Sequence, residues 1–369
     1  MKIVYVCNEI NLKSGWAVLN YYTIINASQH FSEVVVFTLN NADNLDLSAY
    51  ENIVIYPLLT SMHDGLFKYL YVFKDIIAIR KYINIKKIDI AHILVEPLLP
   101  LILVFNRSKK IYSIVGTYSI VTFKHKFNKF LYWYALKHID RIVSISEYTK
   151  ERFNNIFNHH IETIPLGVNN DSFQICCDVP IKEKAFVFVG HIKPRKGLIY
   201  ALKAFEKIVK NYNDVKFYIV GAASMGKYAE TCIKFVKEHE LENQVIFLGE
   251  IDDQNLITIY RKSICNILTS VNEGEHFEGF GLIHLEANAC GIPSIGSTQC
   301  GNESAIVDGI TGYLCNQKDV EDIYSKMSLI IEDYEQGNFV KWEENCKKYA
   351  KQNDWKFYFT NLLQKVYKS

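Results

Sequence analysis

The sequence predicts an α/β protein of two domains, each built on a mostly parallel sheet. Three observations predict it. Short apolar runs alternate with segments of helical apolar spacing along the chain. Apolar runs at Ala185–Val189 and Ile264–Leu268 lead into glycine-containing loops and then helices, an arrangement that suits an anionic ligand. The 369 residues are enough for two domains of ordinary size and a sizeable core.

In the first half, Lys2 to Cys7 reads as the first strand and stops at Asn8-Glu9. Ser14-Gly15 then precede a helix over Trp16–Ala27, where a doubly wound sheet places a ligand loop; an ordinary strand–helix turn accounts for them equally well. Further strands are expected at Val34–Thr38, Ile53–Tyr56, Ile90–Val95 and Ile111–Val115, with a helix over Phe67–Tyr82. His92 reads more simply as a hydrogen-bonded histidine at a strand end than as a site residue. The apolar stretch Ile90–Phe105 contains Glu96, Pro97 and Pro100, so it lacks the roughly 20 clean residues of a membrane span. Thr122–His138 mixes Lys124, Lys126, Lys129 and Lys137 with Phe123, Phe127, Phe130, Trp133 and Tyr134. Two readings stand: a helix on a membrane surface, or a domain helix with an aromatic face inward and lysines outward. The strand-like run Arg141–Ile145 directly after it, ending in a Ser146-Glu147 cap, favours the second.

Polar residues around Pro180 place a linker at Cys176–Glu183. The second half opens with a strand at Ala185–Val189, the loop Gly190-His191-Ile192-Lys193-Pro194-Arg195-Lys196-Gly197, and a helix from Leu198. A diphosphate needs about two positive charges or a metal, and Arg195 and Lys196 supply two charges, with Lys193 nearby. Strands follow at Val215–Gly221 and Val245–Gly249, then at Ile264–Leu268 before the loop that carries Glu278. Gly279 and Gly281 let the backbone approach a ligand. Leu282–Cys290 reads as a helix closed by Gly291 and Pro293. Glu286 lies eight residues beyond Glu278, roughly 12 Å at helical rise, about the reach of a nucleotide sugar from ribose to sugar ring.

Composition excludes several classes. Arginine and lysine total 41 against 40 acidic residues, so nothing argues for nucleic acid as a partner. The nine cysteines show neither Cys-x-x-Cys nor metal-ligand spacing, and reduced thiols in a cytoplasm are expected. Met1–Cys7 is too short for a secretory signal. A cytoplasmic protein is expected, and Thr122–His138 leaves peripheral contact with the inner membrane face open. No Gly-x-Gly-x-x-Gly follows the first strand, which counts against a dinucleotide oxidoreductase.

Glu278-Gly279-Phe280-Gly281-Leu282, Glu286-Ala287 and Cys290-Gly291-Ile292-Pro293 together resemble the Glu-x7-Glu motif of retaining glycosyltransferases with the GT-B fold, family 4 above all. The resemblance spans nearly the whole chain, strong in the second half and loose in the first. It implies two Rossmann-like domains facing across a cleft: 1–175 for the acceptor, 184–350 for the nucleotide-sugar donor, and a C-terminal helix in 351–369 crossing back to the first. It implies that Glu278 touches the donor sugar and Glu286 the ribose hydroxyls. Lys196 matches the family lysine of the diphosphate loop. His191 stands where the family has arginine, with Arg195 as its substitute. Glu250 and Ile251 fall in the base-contacting loop. The family's acceptor-side histidine matches Val115 here, which leaves Thr117 or Tyr118 to supply a polar contact, and Ser14-Gly15 replace a glycine pair.

The implied activity is transfer of a sugar, with retention, from a UDP- or GDP-linked donor to a glycan, lipid-linked or small-molecule acceptor, in bacterial surface polysaccharide synthesis. Glu278, Lys196 and Arg195 are the expected catalytic residues. Gly15, Gly190, His191, Glu250, Gly279, Phe280, Gly281, Leu282 and Glu286 are expected at the donor, and Ser14, Thr117 and Tyr118 on the acceptor side. No cofactor and no metal are expected: Asp-x-Asp is absent, and the departing phosphate takes the acceptor proton. The alternative is a non-catalytic nucleotide-sugar-binding subunit of an active glycosyltransferase, favoured by the departures at Val115 and His191.

Overall fold

Parallel strands covered on both faces read as unbroken apolar runs. In the computed structural model every pairing between named strands is parallel. The structure describes residues 1–60, 67–84, 87–124, 126, 128–174, 181–222 and 226–369. Two units emerge: Met1–Leu166 with Trp355–Ser369, and Gly167–Asp354.

The first unit runs β1 (Lys2–Val6), α1 (Gly15–Ser28), β2 (Glu33–Leu39), β3 (Ile53–Leu59), α2 (Lys68–Tyr82), β4 (Ile90–Ile93), β5 (Lys109–Ile114), α3 (Tyr118–Lys124), α4 (Lys129–Leu136), β6 (Arg141–Ser144), α5 (Glu147–Asn154) and β7 (Ile161–Thr163). Its sheet has the order β3-β2-β1-β4-β5-β6-β7. The apolar stretch after β4 is a buried 3-10 helix, Glu96–Val104, opened by Pro97. The helix expected over Thr122–His138 is two helices, α3 and α4; Phe127 lies outside the described residues. Phe123 points inward as expected and Trp133 is half-buried, but Phe130 and Tyr134 are exposed alongside Lys129 and Lys137, and Tyr132 takes the inward position instead. Ser146 caps α5, accepting from the Thr149 N–H at 3.1 Å.

The second unit runs α6 (Asn170–Gln174), β8 (Ala185–Val189), α7 (Leu198–Asn211), β9 (Lys216–Val220), α8 (Lys227–Glu238), β10 (Val245–Gly249), α9 (Asp253–Lys262), β11 (Cys265–Leu268), α10 (Leu282–Ala289), β12 (Ser294–Ser297), β13 (Gly312–Cys315), α11 (Val320–Glu335) and α12 (Phe339–Gln352). Its sheet has the order β10-β9-β8-β11-β12-β13. Phe186, Phe205 and Phe217 meet in its core between β8, α7 and β9.

The boundary falls at Leu166, earlier than the expected 175. Hydrogen bonding explains the shift. The Val168 N–H donates to the Asn353 carbonyl at 2.9 Å, Asn170 Nδ2 to the Ala350 carbonyl at 2.9 Å, and Arg261 to the Phe173 carbonyl at 2.9 Å. These bonds tie 167–174 to the second unit. Residues 351–354 belong there too, so the returning segment starts at Trp355. Most of the expected linker, Cys176 to Pro180, lies outside the described residues.

The returning segment is α13 (Trp355–Leu362) followed by a π turn, Leu363–Tyr367. Trp355 stacks on Tyr22 of α1 at 4.9 Å. The buried Tyr367 hydroxyl lies 2.7 Å from His92 Nδ1 and 3.0 Å from the Tyr5 hydroxyl. His92 Nε2 meets the Ser113 hydroxyl at 2.9 Å, so this histidine serves the core. Burial pushes its ring down to about 3, which keeps it neutral. The seven described cysteines are free and buried. Among the described residues no helix is long and apolar enough to cross a membrane.

Candidate functional site

In the second unit the chain turns from one side of the sheet to the other between β8 and β11. Loops leaving neighbouring strands in opposite directions open a crevice at their carboxyl ends. The loop after β8 carries Arg195 and Lys196, and the loop after β11 carries Glu278. The two loops are joined backbone to backbone. The Val271 N–H donates to the Arg195 carbonyl at 2.8 Å, and the Thr269 hydroxyl to the Gly197 carbonyl at 3.3 Å. Gly197 has φ +68, and a Cβ there would lie 1.8 Å from the Thr269 oxygen, so no other residue fits.

Three charges meet where the loops touch. Glu278 Oε2 accepts from Arg195 Nη1 at 2.8 Å and from Lys196 Nζ at 2.5 Å. The Glu278 and Lys196 side chains are 11% and 14% exposed, that of Arg195 32%, so Arg195 is the one solvent reaches most. Burial alone would raise the Glu278 carboxyl. The Lys196 and Arg195 charges outweigh burial and hold it at about 2. Burial lowers Lys196, with Arg195 adding to the shift and Glu278 opposing it. Two cations and one carboxylate leave one net positive charge at the crevice.

Backbone bonds fix the carboxylate's loop. The Gly301 N–H donates to the Glu278 carbonyl at 2.8 Å, and Asn302 Nδ2 to the Phe280 carbonyl at 3.3 Å. Gly281 has φ +92, and a Cβ there would lie 2.7 Å from Asn302 Nδ2. With Gly281 as its N-cap, α10 begins with no side chain bonded to its first N–H groups, which leaves them for an anion. Beneath this turn, His284 is fully buried, with Nδ1 at 3.3 Å from Asn266 Nδ2. Burial pushes its ring down to about 3, so it supports the turn uncharged. Sequence reasoning missed His284 and Asn302. Asn302 had a signal in the run Gly301-Asn302-Glu303, but nothing in the helical spacing marks His284.

Glu286 sits on α10, half-buried, and its nearest partner is the Tyr260 hydroxyl at 3.4 Å. Burial pushes its carboxyl up to about 7, with Tyr260 opposing and Asp253 adding. The ends of β8, β9 and β10 stand in a row: the Gly190 N–H donates to the Val220 carbonyl and the Gly221 N–H to the Gly249 carbonyl. His191 follows this row and is exposed; so is Glu250. Gly279 packs under Gly301, whose Cβ would lie 2.1 Å from the Gly279 oxygen. Leu282 is half-buried. Phe280 is buried, 3% exposed.

The acceptor-side candidates belong to the first unit, where the chain reverses between β1 and β4. Ser14 caps α1, accepting from the Ala17 N–H at 3.3 Å, and Gly15 opens the helix with free space around it. Tyr118 is exposed, its ring 5.1 Å from Trp16, which brings it to the edge that holds Ser14 and Gly15. Thr117 is half-buried beside it. Val115 is buried, and its N–H and that of Gly116 donate to Glu96 Oε1 at 2.7 and 3.1 Å. Glu96, which the sequence offered only as an argument against a membrane span, thus holds the loop after β5.

Two family models match the chain: "Glycosyltransferase Family 4" over residues 21–172 and "Glycosyl transferases group 1" over 178–353. A poly(glycerol-phosphate) alpha-glucosyltransferase of Bacillus subtilis is 28% identical over 51% of this chain and 27% of its own length. An N-acetyl-alpha-D-glucosaminyl L-malate synthase of Bacillus anthracis is 33% identical over 42% of this chain and 37% of its own. The matched stretch thus spans well under half of both relatives. Anabaena Alr3699/HepE, solved in complex with UDP and glucose, superposes with a TM-score of 0.75 at 17% identity, covering 100% of both chains.

Proposed function

This chain belongs to the group 1 glycosyl transferases of GT-B fold, and on that premise we propose that it moves a sugar from a UDP- or GDP-linked donor to an acceptor hydroxyl with retention at the anomeric carbon. The observation that carries this is the Arg195–Glu278–Lys196 cluster at the turning point of the second sheet. The bond from the anomeric carbon to the phosphate oxygen breaks, and its electron pair leaves with the diphosphate. Lys196, Arg195 and the N–H groups that open α10 stabilise that growing charge. The acceptor oxygen bonds to the anomeric carbon on the same face, and its proton passes to the departing phosphate oxygen. Glu278, ionised at any working pH, accepts hydrogen bonds from the sugar hydroxyls. The cations and the N–H groups that open α10 offset the diphosphate charge in this reading, and no metal is invoked. UDP in the structural neighbour supports a UDP donor, and the poly(glycerol-phosphate) relative supports a polymer as acceptor.

The test is incubation of the purified chain with UDP- and GDP-sugars in EDTA, with the anomeric configuration of the product read by NMR. Retained configuration in EDTA is expected. An inverted product, or activity that EDTA abolishes and Mg²⁺ restores, overturns the corresponding part of the mechanism. A second reading, a nucleotide-sugar-binding subunit without activity, is favoured by the buried Val115 and the exposed His191. Donor binding with neither hydrolysis nor transfer would select it.

Glu286 is the proposed ribose acceptor. Glu286→Ala weakens binding of the bare nucleotide by about 1.5–3 kcal/mol, as two hydrogen bonds to a charged group disappear. Because this carboxyl titrates at about 7, the carboxylate dominates above that pH and the weaker neutral acid below it. Wild-type affinity therefore falls between pH 8 and 6 more steeply than that of Glu286→Gln. The diphosphate's own titration is common to both proteins. Equal calorimetric affinities and parallel pH profiles would remove Glu286 from the site.

A further inference from the structure

The first unit carries an outward apolar face that the transfer chemistry does not use. On α2 the inward side holds Lys68, Val72, Asp75 and Ile79. The opposite side exposes Phe67 (67%), Leu70 (66%), Phe73 (65%) and Ile77 (53%) to solvent. Their spacing of three and four residues aligns them along one stripe. Lys74, Arg80 and Lys81 flank that stripe, and all three are exposed. Asp75 is the helix's one acid, and it is buried, accepting from the Thr60 N–H and hydroxyl at 3.0 and 2.8 Å. Among the described residues of α2, the exposed side thus has apolar and positive character, the one acid being turned inward.

A second helix of the same unit has a similar exposed side. Lys68 Nζ of α2 and the Tyr132 hydroxyl of α4 both donate to the Pro97 carbonyl, at 2.8 and 2.7 Å. That shared acceptor packs both helices against the same 3-10 helix, Glu96–Val104. On α4, Phe130 is 76% exposed, with Lys129 and Lys137 exposed near it and no acid between them. Exposed apolar residues rimmed by cations, as on the described residues of these two helices, complement a surface of acyl chains beneath anionic headgroups.

We propose that α2, together with α4, is a docking surface for an anionic lipid membrane. The aromatic and aliphatic side chains of the stripe enter the headgroup–acyl boundary, and Lys74, Arg80, Lys81, Lys129 and Lys137 meet the lipid phosphates. Docking needs neither donor nor turnover, so it stands or falls independently of the proposed transfer reaction.

Flotation of the purified full chain with vesicles tests it. Wild type floats with phosphatidylglycerol–phosphatidylcholine vesicles, floats at least tenfold less with phosphatidylcholine alone, and is released as salt rises. Phe67→Ser/Phe73→Ser lowers partition to anionic vesicles at least tenfold. Arg80→Gln/Lys81→Gln lowers it and flattens the salt dependence. Both variants keep the wild-type circular dichroism and UDP affinity, since the changed side chains are exposed and lie outside the donor site. Failure of wild type to float with anionic vesicles, or partition unchanged in both variants, overturns the proposal. So does a wild-type dimer in sedimentation that Phe67→Ser/Phe73→Ser splits while neither protein floats, because a second copy is then the occupant.

Discussion

Lys196→Met lowers turnover on the order of a hundredfold or more and weakens nucleoside diphosphate binding, as expected for the loss of one preorganised partner of a developing anion. The lysine is 14% exposed and 2.5 Å from Glu278, so it acts in a partly dry setting where its charge counts for more than in water. It also has a structural role. Burial works against an ionised Glu278, and the Lys196 charge does most to keep that carboxylate ionised. Breaking a buried pair costs about 3–5 kcal/mol, so stability must be followed with activity. Methionine keeps the stem volume and drops only the charge. The double variant Lys196→Met/Glu278→Gln separates the roles: it recovers stability, because no buried charge is stranded, while turnover stays low. Lys196→Met that stays folded, binds nucleoside diphosphate normally and turns over within tenfold of wild type would remove the lysine from the reaction.

What the sequence could reveal follows from the range over which each feature acts. The strands were legible because burial on both faces demands consecutive apolar residues, a local property visible at Ala185–Val189 and Lys2–Val6. The glycines of the loops were legible because a positive φ at Gly197 and Gly281 is a local demand, although the neighbours that also exclude a side chain there, Thr269 and Asn302, are distant in sequence. The pairing of Glu278 with Arg195 and Lys196 was not, since those residues are 83 and 82 positions away and only the sheet order brings them together. The sequence therefore assigned the cations to the diphosphate and the carboxylate to the sugar as separate groups, whereas they form one cluster. Glu96 escaped notice for the same reason, its partners Val115 and Gly116 lying 19 and 20 residues on. On α2 the periodicity predicted a helix, but apolar residues fall on both faces, and spacing alone cannot say which of Val72 or Phe73 points inward. His284 hides inside a helix that also buries the polar Asn288 among apolar residues, and buried polar side chains leave no periodic apolar mark.

Glu278→Gln is the variant in which that clustering changes the expected result. In the ligand-free protein the carboxylate occupies both cations, leaving one net positive charge of the three. The neutral amide releases Arg195 and Lys196 and raises the local charge by one. Nucleoside diphosphate affinity therefore holds or rises, by up to about tenfold for a gain of about 1.4 kcal/mol. Turnover falls on the order of a hundredfold, because the amide no longer offers a charged acceptor to the sugar hydroxyls. Binding and catalysis move in opposite directions, which misfolding cannot imitate, since it depresses both. Stability supplies an independent check. The folded carboxyl lies at about 2, below its ordinary 4.5, so its ionisation contributes stability that is complete above about 4.5 and lost as pH falls toward 2. That contribution is at most about 3 kcal/mol, so Glu278→Gln is less stable than wild type at pH 7, and the gap closes as the pH approaches 2. If the folded variant lost diphosphate affinity along with turnover, Glu278 would be a ligand for the phosphate end of the donor or a scaffold for the cations, and the sugar contact would have to come from another residue of the crevice.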